Sequence, residues 1–176
     1  MTNESIPRLA AVLAWLCLAA MVVLPVGIAL ALILMPVTAE LLATTSGLPV
    51  APEVSTAQLW ASVAVGLLPV AVLIWTFRQM QLLFAAFAKG AALTAGSAAR
   101  IRRIGQGFLV LALVPLVVQP AQSVLLSWNA APGARQVSIG LSSDMLGFAF
   151  VSGLLVLIGW AMGQAAHAAE ENRAFV

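Results

Sequence analysis

The chain has 176 residues, of which 62% are hydrophobic and only 8% are charged, and its formal net charge is +2. A soluble domain carries about 25% charged residues, so this composition excludes a water-soluble fold, a disordered segment, a coiled coil and a collagen-like fibre. An outer-membrane barrel needs alternating polarity along its strands, whereas the apolar runs here are continuous. The composition therefore predicts an all-α integral membrane protein.

Four apolar segments separated by charged residues predict four transmembrane helices. A helix rises about 1.5 Å per residue and the hydrocarbon core is about 30 Å thick, so about 20 residues suffice for one crossing. Each charge-free segment is long enough for one crossing and too short for two. We expect residues 1–176 to form a single transmembrane domain, a four-helix bundle with spans at about 9–35, 58–85, 105–128 and 145–168.

The first span has an alternative interpretation as a cleavable signal peptide, because Val37-Thr38-Ala39 resembles a small-residue cleavage site. The apolar region of a signal peptide has about 7–15 residues, and this span is much longer. Its N-terminal flank is barely basic, since it contains Glu4 as well as Arg8. We therefore expect a retained helix.

The loop at 36–57 is long for a helix connection. Pro36 is expected to end the first helix, and Thr38 to start a short one that ends near Gly47. Two interpretations remain for this loop: a lid packed over the bundle, or an extracytoplasmic sensing or binding loop.

The basic residues are concentrated on one side of the predicted membrane. The loops at 36–57 and 129–144 carry only Arg135 between them. The other seven lie near the chain ends or in and just before the basic loop at 86–104: Arg8, Arg78, Lys89, Arg100, Arg102, Arg103 and Arg173. The positive-inside rule then places both termini and the basic loop in the cytoplasm, an N-in/C-in topology.

The basic loop contains the candidate contact residues Arg100, Arg102 and Arg103. Gly90 suits the end of the second span, and Thr94 can cap a new short helix that carries the arginines. They are interpreted as a topology determinant that reaches the lipid headgroups, or as a contact site for anionic lipid or a small cytoplasmic regulatory partner. Three arginines beside a bilayer make too small a phosphate footprint for nucleic acid.

Prolines lie inside three spans, at Pro25, Pro69, Pro115 and Pro120. A proline removes one backbone hydrogen bond from a helix and clashes with the preceding turn. Kinks that only shape the bundle are one interpretation. A cavity is the other, because broken helices line substrate sites in some transporters.

Small residues of the fourth span, Ser152, Gly159 and Gly163, fall on one helical face. Small residues let helix backbones approach closely in lipid, so this face is predicted to pack on another helix, within the chain or in a homodimer. We expect Asp144 to cap the start of this span. Beyond its end, we expect Glu170, Glu171 and Arg173 to form a solvated tail that pairs with the basic helix.

Two segments of the chain carry a resemblance to a family. The residues concerned are Phe87, Gly90, Thr94, Arg102, Arg103 and Gly105 in the basic loop, and Glu170, Glu171, Asn172 and Val176 at the C-terminus. This pattern resembles the domain of unknown function 2975 family, small bacterial four-helix membrane proteins, although Ala92-Leu93 and Gly96-Ser97 depart from it. The resemblance implies a multi-pass protein of the bacterial inner membrane, often encoded beside a small helix-turn-helix repressor. It implies no activity and no catalytic residue.

The residue types argue against an enzyme. One cysteine, Cys17, and one histidine, His167, provide neither a disulfide nor a metal-ligand set, and no nucleophile–base pair is evident. We expect no catalytic residue, no metal and no cofactor. The sequence favours a non-enzymatic regulatory, stress-related or protective membrane protein. The alternative is a small transporter, or a lipid or small-molecule carrier, whose cavity is lined by proline-kinked helices.

Overall fold

The computed structural model describes residues 5–48, 51, 54–91, 94–130, 135 and 137–174. Those residues form helices and connecting segments, with no strand among them. The helices are α1 (Ser5–Leu34), α2 (Ala39–Ser46), α3 (Thr56–Gly66), α4 (Leu68–Ala88), α5 (Ala95–Leu113), α6 (Pro115–Ser127) and α7 (Ser143–Ala174).

Four helical stretches are long and apolar enough to cross a membrane: Ile6–Leu34, Thr56–Ala88, Ala95–Ser127 and Ser143–Ala169. They coincide with the four predicted spans, so the all-α class and the presence of four helical stretches able to span a membrane are confirmed. The third stretch begins earlier than predicted, because α5 runs from the basic cluster into the span as one helix. The prediction of a separate short basic helix is therefore wrong, although Thr94 caps the helix as expected, with its Oγ1 accepting from the Ser97 N–H at 3.2 Å.

Prolines interrupt the second and third spans. Helix α3 gives way to α4 at Leu67, just before Pro69, and α5 gives way to α6 at Val114, just before Pro115. Both junction residues keep right-handed helical backbone angles. The interruptions therefore bend the spans without turning the chain back, as a missing proline N–H and a ring clash would do.

The long helices run antiparallel to their neighbours. Residue Gly107 of α5 lies against Thr76 of α4, while Arg100 contacts Leu82, so α5 runs opposite to α4. Both ends of the described chain and the α4–α5 turn therefore share one end of the molecule, which we call the basic end. Helix α2 and the described residues 128–130, 135 and 137–142 lie at the opposite end, which we call the loop end.

The spans pack in chain order. Helix α1 packs on α4, α4 packs on α5, and α5 makes its most extensive contact with α7. Among the described residues, α1 and α7 share at most a marginal contact. The four spans thus form an open row, and α1 and α7 leave much of their apolar surface exposed for lipid.

The loop end is closed by its own apolar cluster. Leu42 of α2 and Leu48 pack with Leu59 of α3 and Leu126 of α6. The backbone N–H of Ala51 donates to the carbonyl of Leu126 at 3.0 Å. The loop lies over α3 and α6 in the manner of a lid, with α2 bounded by Thr38 and Gly47 as the sequence predicts.

Side chains of α6 hold the second connection at the loop end. The Gly140 N–H donates to Gln119 Oε1 at 2.9 Å, and the Ser138 N–H donates to Ser123 Oγ at 3.1 Å. The connection leads to α7, whose start is capped differently from the prediction. The Met145 N–H donates to Ser142 Oγ at 3.3 Å, while Asp144 lies within the first turn. Ser142 is the cap because it directly precedes the first helical residue and its hydroxyl reaches the free amide.

A candidate lipid-binding groove at the basic end

The three predicted contact arginines do not all share one side of α5. Arg100 turns toward α4, and its Nη1 donates to the carbonyl oxygen of Leu82 at 2.6 Å. Arg102 and Arg103 are exposed. Successive residues are separated by about 100° around a helix, so Arg102 faces away from Arg100, toward α7. The three arginines therefore do not form one contact site. Arg100 joins α5 to α4, and Arg102 lies on the side of α7.

Arg78, which precedes the basic loop in the sequence, lies inside α4. It precedes the last residue of that helix, Ala88, by ten residues, or about 15 Å along the axis. Its side chain is exposed. Helix α4 therefore continues well past the first basic residue at this end of the span.

Helices α5 and α7 approach closely at glycines. A Cβ built on Gly159 would lie 2.8 Å from the backbone nitrogen of Arg102 and 3.0 Å from the carbonyl oxygen of Ala98. A Cβ on Gly105 would lie 3.0 Å from the carbonyl oxygen of Ser152, which is itself 2% exposed. Gly163 has more room, since its nearest neighbour is the Ala98 Cβ at 3.9 Å. The structure thus places the small-residue face of α7 against α5 of the same chain.

A groove of about 480 Å³ lies between α5 and α7 at the basic end. Small residues of both helices line it: Ala95, Ala98, Ala99, Gly159, Gly163 and Ala168. The polar or amphipathic side chains that line it are Arg102 from α5 and Trp160, Gln164, His167 and Glu171 from α7. The groove thus combines small apolar residues with a set of polar side chains.

The four α7 side chains form a single stripe. Trp160, Gln164, His167 and Glu171 are separated by four, three and four residues, which places them on one face of a helix. We call this set the polar stripe. Every member is exposed. Because the rest of α7 is strongly apolar, a stripe of this kind provides the α5–α7 groove with hydrogen-bonding groups along its whole length.

The groove carries one positive and one negative side chain, and they lie at different depths. Arg102 is level with Gly159, while Glu171 lies twelve residues further along α7, or about 18 Å nearer its C-terminal end. In the described part of the chain, no ion pair links Glu171 to Arg102. Helix α7 continues to Ala174, so the predicted tail is helical as far as that residue, and Glu171 is exposed as expected of a solvated tail. The side chains of Glu170 and Arg173 lie outside the described residues.

A second and a third cleft separate α1 from α4. Pro25, Ile28 and Leu32 of α1 face Leu67, Val70 and Ile74 of α4 across a cleft of about 300 Å³ that also contains Ala29 and Ala71. Every side chain that lines it is apolar. Nearer the basic end, a cleft of similar volume is lined mainly by alanines, with Trp15, Gln81 and Lys89 at its edges.

Among the described residues, no three His, Cys, Asp or Glu side chains lie close enough together to hold a metal ion. Cys17 is buried and free.

Comparison with known proteins gives no further guide. No family model, no curated protein and no solved structure matches the chain. The resemblance to the domain of unknown function 2975 family therefore stays a prediction.

Parts of the groove are recognisable in the sequence, but the fact that they belong together is not. Arg102, Gly159 and His167 were each assigned to a different feature. Gln164 and Trp160 received no role, although their spacing from His167 and Glu171 is the helical one. That spacing was the available signal, and only the approach of α5 shows that Arg102 belongs with it.

Proposed function

We propose that this protein is a non-enzymatic multi-pass membrane protein, regulatory or protective in role, that binds phospholipid at the α5–α7 groove. The observation that carries the proposal is the groove itself, with Arg102 on one wall and the polar stripe on the other. A guanidinium offers a planar fork of donors that matches a phosphate. The adjacent exposed apolar surface of α7, which includes Leu154 and Leu157, suits the acyl chains of the same lipid.

The proposal includes a bacterial inner-membrane location with both termini in the cytoplasm. Its support is the asymmetry of basic residues between the basic end and the loop end. Reporter fusions at the two termini should both give cytoplasmic signals. A signal from opposite sides of the membrane would contradict the topology.

Lipid retention tests the groove directly. The full chain is purified in mild detergent and analysed by native mass spectrometry for bound phospholipid. Arg102→Gln should reduce retained lipid, because the phosphate loses its charged donor. Arg103→Gln is the matched control, since Arg103 is the neighbouring exposed arginine and does not line the groove. Equal retention in both variants and the parent chain would refute the proposal.

A carrier of apolar molecules is the second candidate function. The α1–α4 cleft beside Pro25 supports it, since its lining is wholly apolar and it follows the bend in the second span. The two candidates differ in what they bind: a carrier of this kind needs no headgroup. Retention of an apolar compound that Ala71→Leu abolishes, and that Arg102→Gln leaves unchanged, would favour the carrier.

A further inference from the structure

The layout of charge in the groove selects among phospholipids, an inference that rests on the proposed function. Arg102 is the only basic side chain and Glu171 the only acidic one that line it, among the described residues. Their formal charges cancel. A headgroup that carries only a negative charge is complemented by Arg102 alone and gains nothing from Glu171. A headgroup that carries both charges complements both side chains.

The order of the two charges along the groove fits the order within a phospholipid. Arg102 lies level with Gly159, deeper along the span, and the backbone of Glu171 lies about 18 Å nearer the C-terminal end of α7. Side chains lean toward the N-terminus of their own helix. Because α5 and α7 are antiparallel, the long side chains of Arg102 and Glu171 lean toward each other, so their charges lie closer together than their backbones. In a membrane lipid the phosphate is nearer the acyl chains and the amine is further out. A lipid whose acyl chains lie along α7 would therefore place its phosphate at Arg102 and its amine on the side of Glu171.

The remaining members of the polar stripe distinguish a primary ammonium from a choline. A primary ammonium has three N–H donors. The groove offers acceptors for them in the Glu171 carboxylate and the Gln164 amide oxygen, and His167 offers a ring nitrogen in its neutral form. A choline group has no N–H and can donate a hydrogen bond to none of these acceptors. Trp160, the aromatic side chain suited to a quaternary ammonium, lies at the phosphate end of the groove, level with Arg102.

We propose that the α5–α7 groove is a binding site for a phosphoethanolamine headgroup, with the phosphate on Arg102 and the ammonium on Glu171. The lipid itself is phosphatidylethanolamine, held between α7 and the N-terminal part of α5. Binding there would join α5 to α7 beyond the point where their glycines meet, so the lipid would also stabilise the basic end of the molecule.

The test compares three lipids with identical acyl chains: phosphatidylethanolamine, phosphatidylglycerol and phosphatidylcholine. The full chain in detergent is titrated with each lipid, and occupancy is read by native mass spectrometry. We expect the ethanolamine lipid to bind about tenfold more tightly than the choline lipid, the size of one hydrogen bond to a charged group. Arg103→Gln supplies the baseline for non-specific attraction to the basic end.

Two substitutions separate the parts of the headgroup. Glu171→Gln should remove the preference for ethanolamine over choline and leave the glycerol lipid bound at least as well as before. Glu171→Lys should reverse the order, with the glycerol lipid preferred over the ethanolamine lipid. Arg102→Gln should weaken all three. Circular dichroism and size-exclusion profiles confirm that each variant is folded before its lipid affinity is compared.

The outcomes distinguish this inference from the function on which it rests. Binding that depends on Arg102 but favours phosphatidylglycerol, or that ignores Glu171, would overturn the phosphoethanolamine assignment and leave the lipid site in place. Binding that is indifferent to Arg102 would overturn both. Loss of the ethanolamine preference in Glu171→Gln together with its reversal in Glu171→Lys would support both.

Discussion

The α5–α7 and α1–α4 interfaces differ in how closely their helices approach. At the first, Gly159 and Gly105 bring the two backbones within reach of a single methyl group. At the second, two clefts of about 300 Å³ each interrupt the contact between the helices, and Gly27 of α1 has nothing within 4 Å of the position a Cβ would take. The outer helices α1 and α7 are both largely apolar, so hydrophobic composition does not explain why one packs more closely than the other.

The comparison shows what holds helices together in lipid. Lipid tails are as apolar as leucine, so burial provides no drive for association, and packing must supply it. Gly159 of α7 and Gly105 of α5 allow this close packing between the two helices. Helix α1 buries small residues such as Ala10 and Cys17 against α4 but leaves the clefts between them. We therefore infer that α7 is the more firmly attached of the two outer helices.

The largest effect is expected from Gly159→Leu. Its Cβ would meet backbone atoms of Arg102 and Ala98, which cannot move aside without shifting α5. Overpacking of this kind costs about 1–3 kcal/mol or more, so the apparent Tm in detergent should fall by several degrees. Gly153→Leu is the control on the same helix, since Gly153 has nothing within 4 Å. Equal Tm values for the two variants would show that α5 and α7 do not meet at Gly159.

A smaller loss is expected from Arg100→Gln. This arginine joins α4 to α5 through the Leu82 carbonyl, and a hydrogen bond to a charged group is worth about 1.5–3 kcal/mol when it is well shielded from water. Arg100 is only half-buried, so we expect the lower part of that range. The Tm of Arg103→Gln should stay at the parent value. Equal Tm values for Arg100→Gln and Arg103→Gln would show that the hydrogen bond from Arg100 to Leu82 does not stabilise the contact between α4 and α5.

Gln122→Leu should have a modest effect. Gln122 Nε2 donates to the carbonyl oxygen of Ser62 at 3.1 Å, a contact between α6 and α3. Hydrogen bonds between membrane helices average about 0.6 kcal/mol, so the Tm should fall by a degree or two at most. Gln81→Leu is the control, because Gln81 only lines a cleft between α1 and α4. If the Tm of Gln81→Leu fell by the same amount, the decrease would come from replacing a polar side chain and not from the loss of the hydrogen bond between Gln122 and Ser62.

The smallest effect is expected from Gly27→Leu, the same substitution placed in α1. The new side chain would enter open space beside lipid, and replacing glycine by a better helix former is favourable. The Tm should be unchanged or slightly raised. A decrease comparable to that of Gly159→Leu would mean that α1 packs as closely as α7, and the comparison between the two interfaces would not stand.

The sequence alone determined the number of spans, because an apolar run of more than about 20 residues has one favourable environment. It also determined local ends: Thr94 caps α5, and Gly47 and Gly90 adopt the positive φ that suits the end of a helix. These features depend on neighbours within a few residues. The sequence predicted Asp144 as the cap of α7, whereas Ser142 is the cap in the structure; both residue types suit the position, so the sequence does not distinguish them.

Only the tertiary structure decided which residues meet across the row of helices. A helical face has no partner until the neighbouring helix is placed, so Arg100, Arg102 and Arg103 were a single cluster in the sequence and contact different surroundings in the fold. Gly159 and Gly163 were equivalent by spacing, yet only Gly159 lies against the backbone of α5. The groove brings together residues of α5 and α7 that are about seventy positions apart in the sequence. Local sequence patterns extend over only a few residues, so they cannot predict this contact.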